Sequence, residues 1–135
     1  MRTRVVVASI IEKEGRFLFG RKDKDVSPYP NKWLILGGCM REGESILEAL
    51  KREIMEEAGI EIDDIEPLRF DEDIGVRNGE EVHFVFLQFK SRWKSGEPRP
   101  GDDIVELRWA DRKEIPGLEF SKPTLKLFKK IGFLD

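Results

Sequence analysis

Two stretches of this chain leave it little choice of architecture. Arg4 to Ile11 (RVVVASII) and Val82 to Phe89 (VHFVFLQF) are largely apolar at odd and even positions alike. Alternate side chains of a strand point to opposite faces, so strands of this kind must be covered on both sides. Their Val, Ile and Phe content favours strand over helix in runs this short. Sheets covered on both faces need helices on both faces, and the expected fold is an α/β/α sandwich. At 135 residues the chain is long enough to bury most of its apolar surface as a single domain spanning residues 1–135.

The other elements follow in order. Glu14-Gly15 makes a turn after which Arg16 to Gly20 returns as a short strand. Lys22 to Lys32 carries Pro28 and Pro30 and reads as a loop. Trp33 to Leu36 reads as a brief buried strand that delivers the chain into Gly37-Gly38, where a turn is expected. A helix is expected from Ser45, with Glu48 completing a capping box, to Gly59 in the left-handed position. Ile60 to Arg69 is a further strand or extended segment. Asp71 to Glu81 is a polar hairpin region with Asn78-Gly79 at its turn, and Ser91 to Asp103 is a long Pro/Gly loop. Ile104 to Ala110 is the last strand. Ser121 caps a closing helix with Pro123 in its first turn, Phe120 stapled to Leu125, and Leu125, Phe128 and Ile131 on its inner face.

The middle helix carries the chemistry. A helix turns roughly 100° per residue, so Glu53, Glu56 and Glu57 share an arc of about that width. Leu47, Leu50, Ile54 and Ala58 form the neighbouring stripe that faces a core. Crowded carboxylates repel unless a cation sits between them, and an oxygen-only set suits Mg²⁺ or Mn²⁺ rather than zinc. A solvated acidic face is the plain alternative. The spacing decides against it. Gly38, five residues, Glu44, seven residues, then Arg52-Glu53-Ile54-Met55-Glu56-Glu57-Ala58-Gly59-Ile60 resembles the Nudix box, G-x5-E-x7-R-E-U-x-E-E-x-G-U with U aliphatic. All seven fixed residues and both aliphatic positions match. Chance would supply such a match less than about once in a hundred million positions.

The resemblance implies a Nudix fold with a mixed sheet and hydrolysis of a nucleoside diphosphate linked to another group. It implies Glu56 and Glu57 as metal ligands, the Gly38 carbonyl as a backbone ligand, and Glu53 as a further ligand or the base for an attacking water. It implies that Arg52 holds one of these carboxylates by a charge-assisted hydrogen bond, and that Glu44 holds a loop or a metal-bound water. A fourth carboxylate often comes from a later loop in this family, with Asp102, Asp103 and Glu106 as candidates here. Leu36 stands where many members have a proline before the paired glycines. Outside the box, Met1-Arg2-Thr3-Arg4, Phe70-Asp71-Glu72-Asp73-Ile74, Val82 to Phe89 and Thr124-Leu125-Lys126-Leu127 resemble the Nudix nucleoside triphosphatases that prefer pyrimidine deoxynucleotides. The activity implied is cleavage of a (deoxy)nucleoside triphosphate to the monophosphate and pyrophosphate. The alternatives are a nucleotide-sugar hydrolase of the GDP-mannose type, whose members usually lack one of the box glutamates, and a Nudix module that binds nucleotide without turnover.

Charge and composition narrow the partners. Lys and Arg number 24 against 27 Asp and Glu, for a net charge of −3. Nothing here attracts a nucleic-acid polymer or an anionic membrane, so the expected partner is a small nucleotide. Dimers are frequent in the resembled family, which adds a homodimer to the expectations. The single Cys39 excludes an internal disulfide and fits a reducing compartment. Arg2 and Arg4 before an apolar run imitate a signal peptide, but no cleavage site follows and charge resumes at Glu12. The expected location is cytoplasmic. Trp33, Phe19 and Phe70 are candidates to stack on a base, and Arg4, Arg21 and Lys51 to reach phosphates, each against the plainer reading of core packing or surface charge. His83, between apolar neighbours, reads as structural, and Cys39 as a small buried residue whose soft thiolate does not suit Mg²⁺.

Overall fold

The computed structural model describes residues 1–135. One sheet contains β1 (Arg2–Lys13), β2 (Arg16–Lys22), β3 (Trp33–Leu34), β4 (Leu36–Cys39), β5 (Glu61–Arg77), β6 (Glu80–Ser95) and β7 (Ile104–Ala110). Helices α1 (Ile46–Ala58) and α2 (Lys122–Ile131) cover its two faces. The two apolar runs are the parallel centre of the sheet, with Val5 opposite Val85 and Ser9 opposite Phe89. All other pairings between these strands are antiparallel, so the sheet is mixed. Alternation along β1 divides the core as a strand must. Val7 and Ile11 pack with Leu50, Ile54 and Ala58 of α1. Ala8 and Ile10 pack with Leu127 and Phe128 of α2. This is the expected α/β/α sandwich.

Three expectations change in detail. The strand foreseen at Trp33 to Leu36 is two strands: Trp33 and Leu34 pair with β2, and from Leu36 the chain crosses to β1. Gly37 and Gly38 therefore lie in β4 rather than in a turn. What they supply is close approach, since a methyl on Gly37 would overlap the Val7 carbonyl and one on Gly38 the Glu53 carboxylate.

The polar stretch Asp71 to Glu81 and the first part of Ser91 to Asp103 belong to one long hairpin. β5 and β6 meet at Asn78-Gly79, both at positive φ as the tight two-residue turn requires. β5 is an edge strand with an exposed outer face; the hairpin expected around Asn78-Gly79 is present, and the polarity hid only how far its strands run.

Leu47 is 47% exposed rather than in the core. It lies in the first turn of α1, which is exposed throughout, and burial begins at Ala49. The α1 ends are as expected: Ser45 and Glu48 form the capping box, and Gly59 closes the helix in the left-handed conformation. In α2 the buried residues are Pro123, Thr124, Leu127 and Phe128, with Leu125 and Ile131 at the margins. Ser121 occupies the cap position, but its hydroxyl donates to Thr124 Oγ1 instead of capping the backbone. Phe120 packs on the rings of Phe19 and Phe128.

Candidate active site

A cleft of about 550 Å³ opens beside β4 and takes its lining from both halves of the molecule. Its acidic part is built on α1. The buried arc of that helix includes Glu53 and Glu57, 8% and 6% exposed, beside Leu50 and Ile54. Burying two carboxylates is costly unless they are bonded. Glu57 Oε1 accepts from the backbone N–H of Gly37 at 2.8 Å, a contact that the bare β4 backbone makes available. Glu53 Oε1 accepts from Arg52 Nη1 at 2.8 Å.

Arg52 is the hub of the cluster. Its Nη1 also donates to Glu56 Oε2 at 3.1 Å, and its Nη2 to the Cys39 carbonyl at 3.2 Å. Nε and Nη2 grip both oxygens of Glu44 in the planar fork that only a guanidinium provides. Glu44 in turn accepts from the backbone N–H of Arg41 at 2.7 Å. The Arg52 hydrogen bond holds the Glu44 carboxyl down at about 2. Arg52 thus ties the loop before α1 to two carboxylates of the helix and to the end of β4.

The fourth carboxylate arrives by a backbone device. The last carbonyls of a helix lack partners within it. Here Glu57 and Ala58 find theirs in the N–H groups of Gly101 and Arg99, at 3.0 and 2.9 Å. That docking sets Asp102, in the left-handed conformation that aspartate tolerates, against α1. Carboxylate oxygens of Glu53, Glu56 and Asp102 then lie within 4.8 Å of one another. Burial pushes the carboxyls of Glu53, Glu57 and Asp102 upward, and the neighbouring carboxylates add to it. An oxygen-only cluster of this kind has the chemistry that suits a hard divalent cation.

Opposing charge lines the same cleft in Arg4, Lys22, Arg41 and Arg77. Lys22 donates to the Pro28 carbonyl at 2.7 Å, and burial lowers its ammonium pKa although Asp103 and Glu57 oppose this. Tyr29, at the cleft wall, donates to Asp73 at 2.6 Å. Apolar lining comes from Val6, Phe84 and Phe86.

The residues singled out from the sequence separate accordingly. Gly38, Glu53, Glu56, Glu57, Asp102, Asp103 and Arg4 line the cleft, and Arg52 braces it. Glu106 and Arg21 lie outside the lining, joined to each other at 2.9 Å, because they face one another across β2 and β7. Trp33 packs on the α2-side core. Phe70 stands 79% exposed on the edge strand, outside the cleft. His83 lies apart, with Nε2 2.7 Å from Glu72. Cys39 is half-buried rather than buried and takes a hydrogen bond from Arg77 at 3.3 Å. Sequence reasoning passed over Lys22, Tyr29, Arg77 and Gln88. Only Gln88 had left a signal, as an amide between the apolar Leu87 and Phe89.

Comparison with known proteins bears on the whole chain. Residues 1–129 match the Nudix domain family model. The nucleoside triphosphatase NudI of Enterobacter sp. (strain 638) is 30% identical over 99% of this chain and 100% of its own length. NudI of Escherichia coli K12 is 28% identical over the same shares. Among solved structures, the MutT Nudix hydrolase of Burkholderia pseudomallei superposes with a TM-score of 0.83 at 26% identity, covering 97% of this chain and 99% of that one. No helix is long and apolar enough to cross a membrane. With an unbroken box on α1, a mixed sheet between two helices and a family match over nearly its full length, this chain belongs to the Nudix family.

Proposed function

We propose that the protein is a divalent-metal-dependent pyrophosphohydrolase that cleaves nucleoside triphosphates to the monophosphate and pyrophosphate, with a preference for pyrimidine deoxynucleotides. The observation that carries this reading is the carboxylate cluster of Glu53, Glu56 and Asp102 in a cleft that also presents cations and apolar surface. Full-length similarity to proteins named nucleoside triphosphatases supports the substrate class. The pyrimidine preference rests on the segments outside the box.

The residues that would hold Mg²⁺ or Mn²⁺ are Glu53, Glu56, Glu57 and Asp102, with the Gly38 carbonyl. When bound, such an ion offsets phosphate charge and acts as a Lewis acid. The chain's own share is positioning and electrostatics. Arg4, Lys22, Arg41 and Arg77 attract and orient the polyphosphate. Arg52 fixes the Glu53 carboxylate through Oε1. The proton of the attacking water passes to Glu53 or Glu57, the two carboxylates that line the cleft from the buried arc of α1.

The test is release of pyrophosphate and phosphate, with Mg²⁺ and then Mn²⁺, across the common ribo- and deoxynucleoside triphosphates, with GDP-mannose read by adding a phosphatase that frees phosphate from its products. Pyrophosphate from one or a few triphosphates is expected, pyrimidine deoxynucleotides foremost. Turnover of GDP-mannose alone would overturn the substrate class, and nucleotide binding without turnover would make the protein a binding module.

A further inference from the structure

The cleft has a second polar zone that the carboxylate chemistry does not use. Its buried uncharged polar side chains are Gln88, Ser121 and Thr124, each 3% exposed. The two hydroxyls satisfy one another at 3.0 Å. Gln88 Oε1 is different. It is the only buried side-chain polar atom in the protein with no hydrogen-bond partner.

An unpaired buried acceptor destabilises a fold, and native structures keep few of them. The position needs no amide for packing, because methionine or leucine would fill a similar volume without the penalty. The strand explains where the group is aimed. Phe84, Phe86 and Gln88 alternate along β6 and all line the cleft. Directly across from Gln88 on β1 is Ala8, whose small side chain leaves the amide room. No bond at Oε1 locks its orientation.

We propose that the Gln88 side-chain amide reads the base, hydrogen-bonding to ring nitrogen 3 and the 4-substituent of a pyrimidine. The inference rests on the nucleotide reading above and adds the group that recognises the base. Cytosine offers an acceptor at N3 and a donor at its 4-amino group. Thymine and uracil offer the reverse, a donor at N3 and an acceptor at O4. A half-turn of the amide exchanges its carbonyl and its NH₂, so one glutamine satisfies either pattern. A purine carries its equivalent edge farther from the sugar by a fused ring. An amide that can present either edge from a strand position therefore selects pyrimidines as a class and does not separate one from another.

The first test pairs a protein change with a substrate change. The 2-pyrimidinone analogue of dCTP lacks the 4-amino group. The wild-type protein is expected to prefer dCTP over it by roughly ten- to hundredfold in kcat/KM, the usual cost of leaving one buried hydrogen-bond partner unsatisfied. Gln88→Leu is expected to lose most of that preference, a coupling that a merely structural defect would not produce. An unchanged preference in Gln88→Leu overturns the proposal.

A second measurement is independent of turnover and of the variant's folding. The ¹⁵N side-chain amide signals of Gln88 are followed in the wild-type protein during titration with dCMP, dTMP and dAMP. Large shifts with dCMP and dTMP, and small ones with dAMP, are expected. Binding that moves other residues but leaves the Gln88 amide in place overturns the base-reading role alone. Shifts at Gln88 in a protein that hydrolyses no triphosphate overturn the proposed activity alone. Absence of all nucleotide binding overturns both.

Discussion

The carboxylates that face the cleft at α1 and those paired with α2 are treated in opposite ways. Near α1, burial and mutual repulsion push Glu53, Glu57 and Asp102 upward, and the guanidinium of Arg52 is shared among Glu44, Glu53 and Glu56. Near α2, Asp71 and Asp73 of β5 each have a lysine of the helix, Lys126 at 2.9 Å and Lys122 at 2.8 Å. Burial alone would raise both aspartates, but those lysines, with the Tyr29 hydroxyl on Asp73, hold them below the usual carboxylate range. The helix ends differ as well. α2 has Lys129 and Lys130 in its last turn, where they complement the helix dipole. α1 has no cation there and relies on the N–H groups of Arg99 and Gly101. One side of the sheet is electrostatically complete. The other is built to gain from an added cation.

The α2 side should therefore fail as a scaffold fails. Phe128 is fully buried, with its ring 5.0 Å from Phe120, 5.3 Å from Phe133 and 5.7 Å from Phe19. Phe128→Ala is expected to cost about 3–5 kcal/mol of stability, read by urea denaturation, with little change in turnover of the molecules still folded. A loss under about 1 kcal/mol would mean that α2 does not close this core.

The α1 side should fail as a site fails. Glu53→Gln and Glu57→Gln are each expected to lower turnover on the order of a hundredfold or more without unfolding the protein. Full activity in either variant would sink the assignment of those residues. Arg52→Lys keeps the charge but loses the fork on Glu44 and the reach to Glu53 and Glu56. A loss of about tenfold in kcat is expected, with a stability loss of about 1–3 kcal/mol from the buried hydrogen bonds given up. Equal activity for lysine would show that only the charge at this position matters.

The same contrast explains what could be read in advance. Glu53, Glu56 and Glu57 are fixed by intervals within one helix, and helix geometry carries such intervals straight into space. Asp102 was one of three acids in or beside a loop. What selects it is the docking of Arg99 and Gly101 on the α1 carbonyls, a contact between backbones that leaves no trace in side-chain pattern. Arg21 and Glu106 were drawn together by strand register, which sequence does not display. The β5–β6 hairpin outran its expected length because an edge strand with one wet face looks like loop by composition. Gln88 stood in plain view, but its importance lies in the bond it does not make.

The sharpest way to test the contrast is the sign of its pH dependence in metal-free protein, held so by a chelator. Glu57 is raised by burial in the folded state. Below about pH 4.3, the ordinary glutamate value, folded and unfolded chains both hold this proton and its burial costs nothing electrostatic. As pH rises, the unfolded chain gives up the proton first, and stability falls until the folded value is passed. Glu57→Gln removes that dependence while its amide oxygen can still accept from Gly37. The variant should thus be more stable than wild type near neutral pH and lose its advantage in acid.

Asp73 is lowered in the folded state, so its contribution is present above about pH 3.9 and fades as pH falls through the folded value. Asp73→Asn should therefore be less stable than wild type near neutral pH, by about 1 kcal/mol, and this deficit should also fade in acid. The two differences approach zero from opposite sides and in sequence: the glutamate advantage is gone by about pH 4.3, and the aspartate deficit fades only below about pH 3.9. Added Mg²⁺ or Mn²⁺ should then stabilise wild type more than Glu57→Gln, through binding to the folded state alone, and leave the Asp73→Asn deficit unchanged. A metal that stabilises both glutamate forms equally would remove Glu57 from the ligand set. An Asp73→Asn deficit that persisted in acid would show its ion pair with Lys122 to be ornamental, with shape at that position outweighing charge.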